Sequence, residues 1–338
     1  MRIPALTVAS PHPVWVGNNP SLFMKKNLCL LLALGAYTAV QACPCGCVKV
    51  CVDTLSDHPA APAGAYTLDL RLDLIDQTER NDAAHAHWYG THDILTATVE
   101  TTFAGQTWSL SVPRIERRLN TDKVPSLANP NPTQYQQQVV GFGDLAVTTR
   151  LNWSGFTVNA GVKLPTGKDN IVFADPAGGL SRKYLQPGTG STDLLAGIRK
   201  DFGASSAKLT EFVSLQAQVP VLSDAHFRPG STIALNAGAR YQLTDKFAFS
   251  AQASLLRQFR DKNTEATINA QYIEDLETGG LTTTVAAGLT YKVAAGTNAY
   301  VYFSKPVEIR SYVPKSATAL VNPVHVADIW SVGLTHTF

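Results

Sequence analysis

The densest chemistry in the chain is Cys43-Pro44-Cys45-Gly46-Cys47-Val48-Lys49-Val50-Cys51, four cysteines within nine residues. In an exported protein, thiols this close form local disulfides, because the compartments beyond the cytoplasm are oxidising. Clustered thiolates also suit a soft metal such as Cu(I) or zinc, although the paired C-x2-C spacing of most such sites is missing. A third reading is lipidation of Cys43, since Val40-Gln41-Ala42-Cys43 partly resembles a lipoprotein cleavage box. Haem attachment does not fit, for no C-x-x-C-H occurs. The expectation is therefore no resident cofactor, with a soft metal at Cys43, Cys45, Cys47 and Cys51 as the alternative.

A second group lies in Asp82-Ala83-Ala84-His85-Ala86-His87-Trp88-Tyr89-Gly90-Thr91-His92-Asp93. In an extended segment His85 and His87 share a face, and with His92 they could hold a metal or serve a hydrolase with acidic or serine partners. No second motif completes such a site, so a solvated external loop over residues 77–92 is the preferred reading. The G-x-G strings at Gly141 to Gly143 and Gly188 to Gly190 precede no helix and so bind no phosphate in the usual way.

Composition narrows the setting for this chemistry. The 338 residues are 45% apolar and 16% charged, with a formal charge of +2. Scattered basic residues give none of the basic stripes that nucleic acid requires, and no nucleic-acid partner is expected. One early block, Met24-Lys25-Lys26-Asn27 followed by an apolar run to Ala42, has the two lysines, apolar core and small terminal residue of a secretory leader. Cleavage is expected between Ala42 and Cys43, with residues 1–23 an upstream extension and Met24 the true start. After this block no run approaches the roughly 18 apolar residues of a spanning helix. Loss of the leader removes Arg2, Lys25 and Lys26 and no acidic residue, which leaves a nearly neutral chain.

From Tyr66 onward the apolar period is two. Leu68, Leu70, Leu72 and Leu74 alternate with Asp69, Arg71 and Asp73, and similar runs recur around Leu145 to Trp153, Phe156 to Leu164, Ile233 to Leu243 and Leu281 to Tyr291. About twelve such segments can be drawn, over residues 65–76, 93–103, 106–118, 142–153, 156–165, 192–202, 209–220, 231–243, 246–260, 280–293, 297–307 and 325–338. Most are longer than the five or six residues usual in soluble sheets, and their length suits a tilted strand crossing a bilayer. Short turns alternate with long polar loops, and aromatic residues such as Phe103, Trp108, Trp153, Phe156, Tyr241 and Phe247 flank the turns. The reading is all-β: an antiparallel transmembrane β-barrel of about 12 strands over residues 65–338, with short periplasmic turns and long external loops. Residues 43–64 form a Cys-rich periplasmic segment before it. The terminal run ending in Phe338 places Trp330, Val332, Leu334 and Phe338 on one face, and Phe338 is expected to act as an assembly signal for the barrel-assembly machinery. A secreted β-sandwich or soluble solenoid is the competing architecture; soluble sandwiches tend to have shorter strands.

On this register Asp69, Arg71, Asp73, Glu100, Asp144, Arg150, Lys163, Arg199, Arg240 and Lys292 line the lumen, together with Asp201 and Arg260. Charges so placed must be paired or hydrated, so the interior is either a salt-bridged plug or a wet conduit. Leu235 faces lipid, Asn236 faces the lumen, and an arginine is expected to be tolerated at the second and not the first.

Three stretches resemble a known family. Gly141-Phe142-Gly143-Asp144-Leu145, then Gly161-Val162-Lys163-Leu164-Pro165-Thr166-Gly167, then Gln186-Pro187-Gly188-Thr189-Gly190-Ser191-Thr192-Asp193 look like landmarks of the outer-membrane transporter family named after the meta-pathway of phenol degradation. That family is similar to the fatty-acid and aromatic-hydrocarbon channels of the outer membrane. The likeness covers residues 141–200 well and the rest only as barrel pattern. It brings no catalytic or ligand residues to carry over. It implies an outer-membrane location in a Gram-negative-type bacterium, lipid around the barrel, and passive movement of a small, hydrophobic or aromatic solute, with no enzyme activity. An outer-membrane hydrolase with a loop or rim site, and a metal-linked or structural barrel served by the cysteines, remain the alternatives.

Overall fold

The computed structural model describes residues 63–338 except 82–85, 122–134, 170, 172–185, 204–207, 224–226, 264–272, 275–278 and 312–324. The stretch expected to be a leader, the four clustered cysteines and His85 lie outside the described residues.

Sixteen strands are present among the described residues. They are β1 (Tyr66–Asn81), β2 (Ala86–Phe103), β3 (Gln106–Thr121), β4 (Tyr135–Phe142), β5 (Leu145–Trp153), β6 (Phe156–Leu164), β7 (Ser191–Phe202), β8 (Leu209–Ser223), β9 (Phe227–Arg228), β10 (Thr232–Gln242), β11 (Phe247–Gln258), β12 (Lys262–Asn263), β13 (Ile273–Glu274), β14 (Gly280–Ala294), β15 (Thr297–Ser311) and β16 (His325–Thr337). All except the two-residue strands β9, β12 and β13 belong to one antiparallel sheet that closes on itself. The first and last strands pair along their length, Leu70 opposite Leu334 and Leu72 opposite Val332, and the final amide of Phe338 donates to the Tyr66 carbonyl at 2.8 Å. β4 and β5 both pair with β3 and act as one interrupted strand, so the barrel has twelve staves.

The interruption is a bulge. Arg114 faces Phe142 and Ser111 faces Ala146, so one extra residue is inserted at Gly143-Asp144. Bulges re-aim side chains, and this one turns the Asp144 carboxylate into the interior, where the residue is 5% exposed. Two hairpins close through left-handed pairs, Ala104-Gly105 at φ 52° and 75° and Ser154-Gly155 at φ 49° and 74°. Such two-residue turns match the twist of the flanking strands.

The alternation read from the sequence is the alternation of the wall. Leu70, Leu74, Leu235 and Leu255 are exposed on the outer face, while Thr67, Arg71, Asp73, Asn236 and Ser254 are buried within. The outer face of β1 is apolar from Tyr66 to Leu74 and ends at Asp76; that of β3 is apolar from Trp108 to Val112 and continues into Arg114 and Glu116. Strands run past this belt toward the loops. The long loop expected at 77–92 is consequently mostly strand, because β1 reaches Asn81 and β2 begins at Ala86.

Aromatic rings inside the barrel lie across glycines of neighbouring staves. A Cβ at Gly288 would overlap the Tyr302 ring, one at Gly333 the Tyr300 ring, and one at Gly238 the Phe212 ring. Glycine here removes a side chain so that a ring can lie flat on the sheet.

Asn236 is indeed on the inner face, but it is fully buried, donating to Ser214 Oγ at 3.2 Å and accepting from Gln252 Nε2 at 3.3 Å. The expectation that an arginine fits there is corrected: the interior is packed at this point. Asn159, on the inner face beside open space, is the proper counterpart. Leu235→Arg should destabilise the barrel by about 2 to 4 kcal/mol in a bilayer, and Asn159→Arg by much less. Urea titration of the barrel in lipid vesicles compares the two; equal losses would contradict the assigned faces.

Candidate functional site: the barrel interior

The inner wall is divided by chemistry. Staves β1 to β7 carry most of the charges, whereas the inner faces of β8, β10, β11 and β14 carry Ser214, Gln218, Thr232, Asn236, Gln252, Ser254 and Thr284, with Arg240 and Lys292 toward the short turns. Nearest the short turns on the charged side, Asp69 accepts from Tyr300 Oη at 3.0 Å and from Thr335 Oγ1 at 3.0 Å. One residue pair further, Arg71 Nε donates to Asp73 Oδ2 at 3.0 Å, and Ser331 Oγ donates to the other oxygen of Asp73 at 2.6 Å. Arg150 Nη2 meets Glu100 Oε2 at 3.4 Å across β3.

Between these groups lies a cavity of about 280 Å³, lined by Thr67, Asp69, Arg71, Thr98, Glu100, Arg150, Asn159, Lys163, Gln216 and Gln218 among others. Its size is at the small end of ligand pockets, which run from roughly 300 to 1,000 Å³. Both signs of charge and several hydroxyl and amide groups face the space.

Toward the loops the wall is tied by a buried triad. Lys163 Nζ lies 2.9 Å from Asp144 Oδ2 and 3.0 Å from Asp193 Oδ2, and it also bonds Thr189 and, at 3.3 Å, Ser191 Oγ. Asp144 further accepts the amides of Gly167 at 3.1 Å and Thr189 at 3.0 Å, while Asp193 accepts from Ser191 Oγ at 2.6 Å and from Gln218. One cation held by two carboxylates is tolerable in a buried place only with such additional donors. Gly143, Gly167 and Gly188 come together here so closely that a Cβ on Gly167 or Gly188 would run into backbone, and Pro187 packs on Gly141. The three stretches that resemble the transporter family thus meet at one point, where the chain after β6 folds back and is pinned to the wall.

A cluster of buried isoleucines, Ile75, Ile94, Ile115 and Ile329, covers the inner face of β1, β2, β3 and β16 next to Asp73 and toward the loops. Equating inward with polar hides this cluster in the sequence, although strict alternation from Asp73 to Ile75 places it inside.

The other predicted residues fall as follows. Arg199 is on the inner face, paired with Asp201 at 2.7 Å and stacked over the Phe212 ring at 4.1 Å. Arg240 is on the inner face of β10, and Lys292 lies on the inner register of β14 at its exposed end. Arg260 follows the end of β11 on the inward register of Gln258 and lines a cleft at the loop-side rim. His92 is not in a loop. It lies in β2, 2% exposed, and its Nε2 accepts from Arg117 Nε at 3.0 Å. The register of β2 puts His87 opposite Arg80, five residues before His92. Among the described residues no group of three or more His, Cys, Asp or Glu side chains could hold a metal. Phe338 is exposed beside the His336 ring at 4.4 Å.

No protein-family model and no curated protein matches the sequence. Solved structures do. An outer membrane channel from Pseudomonas putida F1 superposes with a TM-score of 0.58 at 11% identity, over 84% of this chain and 98% of that one. The translocator domain of the autotransporter NalP from Neisseria meningitidis gives 0.44 at 12% identity, covering 86% and 93%. The CymD monoaromatic hydrocarbon channel gives 0.42 at 10% identity, covering 90% and 99%. The first of these establishes a shared barrel fold at a sequence identity where fold alone is informative.

Lys163→Met would leave two buried carboxylates without their shared cation, at a cost of about 3 to 5 kcal/mol. Adding Asp144→Asn and Asp193→Asn should recover part of that loss. Denaturant titration of the refolded barrel measures both, and an unchanged midpoint for the single variant would contradict the triad's structural role.

Proposed function

We propose that the protein is a passive channel of an outer membrane, carrying a small solute that bears at least one hydrogen-bonding group. The single observation that carries this reading is the polar cavity of about 280 Å³ inside a closed barrel, with the isoleucine cluster on its loop side. A solute passing both must tolerate an apolar surface and then satisfy donors and acceptors such as Thr98, Arg150 and Asn159. Small aromatic compounds with a hydroxyl or carboxyl group fit that description, in keeping with the resemblance of residues 141–200 to transporters of phenol degradation. The exposed apolar belt supports a lipid surround, and the extension of strands beyond it on the loop side supports an external orientation for the loops.

Liposome swelling tests the reading. Vesicles containing the protein should swell in isotonic glycerol or hydroxybenzoate and not in a disaccharide. Exclusion of every solute smaller than a hexose, together with an absence of conductance in planar bilayers, would contradict it.

The terminal aromatic is proposed to be read by the barrel-assembly machinery. Because the Phe338 ring is mostly exposed, its deletion should lower the surface yield in cells while leaving refolding of the purified chain into detergent nearly unchanged. Normal yield in cells would argue against the signal.

A further inference from the structure

The rim of the barrel beside β8, β10 and β11 holds a cleft of about 560 Å³ whose eight described lining residues include Arg228, Arg257, Arg260 and Lys262. Two of its residues, Arg257 and the exposed Phe259, lie on the outer register of β11 and its continuation. Arg257 sits opposite Ile233 on the same face as Leu235 and Leu255, immediately above the apolar belt. Its guanidinium lies over the Phe259 ring at 5.1 Å. Arg228 is anchored by one bond, from Nη2 to the Pro220 carbonyl at 3.1 Å, and so presents the rest of its fork in a fixed place.

The floor of the cleft is built for close approach. A Cβ on Gly230 would overlap the Phe259 carbonyl, so only glycine permits this packing of the β9–β10 connection on the end of β11. Asp261, 1% exposed, accepts the Gly230 amide at 2.6 Å and holds that connection in place. Lys262 is set opposite Arg228 and Glu274 in the small sheet of β9, β12 and β13.

We propose that this cleft binds the phosphate of an anionic lipid headgroup in the outer leaflet. Arginine forks match phosphate oxygens two at a time, and a lysine adds a mobile point charge. The location selects a lipid over a free anion: a phosphate held at Arg257 leaves its acyl chains lying along Leu255 and Leu235, where their burial adds to the charge interaction. Long cationic side chains at the edge of an apolar belt place their stems against hydrocarbon and their heads in the polar layer. The proposal rests on the membrane reading above and adds a specific lipid site to it.

The test uses the full-length protein in detergent micelles, titrated with three probes: a bisphosphorylated, multiply acylated glucosamine disaccharide, the same lipid after dephosphorylation, and inorganic phosphate. Native mass spectrometry reads retention, and a heat-shift gel reads folding. The wild type should retain the phosphorylated lipid, bind the dephosphorylated form at least ten-fold more weakly, and show no comparable retention of millimolar phosphate. Arg257→Gln with Arg260→Gln should lose at least ten-fold in retention while still shifting on the gel. Lys305→Gln, at the same boundary on β15 where Lys305 pairs with Asp328 at 3.1 Å, should bind as the wild type does. If the double variant does not fold, Lys262→Gln alone should still weaken retention several-fold. Equal retention by wild type and folded cleft variants overturns the proposal, as does inorganic phosphate binding as tightly as the lipid. A protein that never enters vesicles defeats the membrane reading instead, whereas one that inserts and conducts but ignores the lipid's phosphate defeats only this site.

Discussion

Backbone hydrogen bonding is the constraint from which the rest follows. A sheet surrounded by hydrocarbon has no water for its N–H and C=O groups, and each one left bare costs several kcal/mol. Here the requirement is met by joining β1 to β16, with Leu68 to Leu74 paired against Trp330 to His336, so that the wall has no edge at the level of the apolar belt. Closure then dictates the side-chain arrangement. Every second residue of the belt points to the apolar outside and its neighbours point to one enclosed space, which must be filled, hydrated or charge-balanced.

That enclosed space is treated differently along its height and around its circumference. The charged staves balance themselves through short pairs, Arg71 with Asp73 and Lys163 with Asp144 and Asp193, while the amide and hydroxyl staves cross-link through Asn236, Ser214 and Gln252. Between them remains a polar cavity. The wall is stiffened where rings cross glycines, and Gly167 and Thr189, at the two described ends of the β6–β7 connection, are both held by the Asp144 carboxylate of the triad.

Much of this was legible in the sequence, and the places where it was not have physical causes. Strand positions inside the belt were readable because Leu70 and Arg71 experience opposite environments, and alternation records that difference. Beyond Leu74 the outer register of β1 passes to Asp76, so the apolar and polar alternation stops and residues 76–80 read as loop although they are strand. The run 142–153 read as one strand because a one-residue bulge at Gly143-Asp144 leaves composition unchanged while shifting register. The charged lumen residues were findable by parity alone, as Asp193 also was; their partners were not, since Tyr300 reaches Asp69 only through closure of the barrel. The isoleucine cluster and the packed surroundings of Asn236 are not legible in the sequence, because parity gives direction and not packing density.

The account is tested most directly by spin labels placed one at a time at consecutive positions from Tyr66 to Ile75 in the reconstituted protein. Accessibility to lipid-soluble oxygen should peak at positions 68, 70, 72 and 74, and accessibility to a water-soluble nickel chelate should show the same two-residue period half a cycle out of phase. A period near 3.6, or no contrast between the two relaxants, would contradict a closed barrel with a lipid-facing outside and a polar inside.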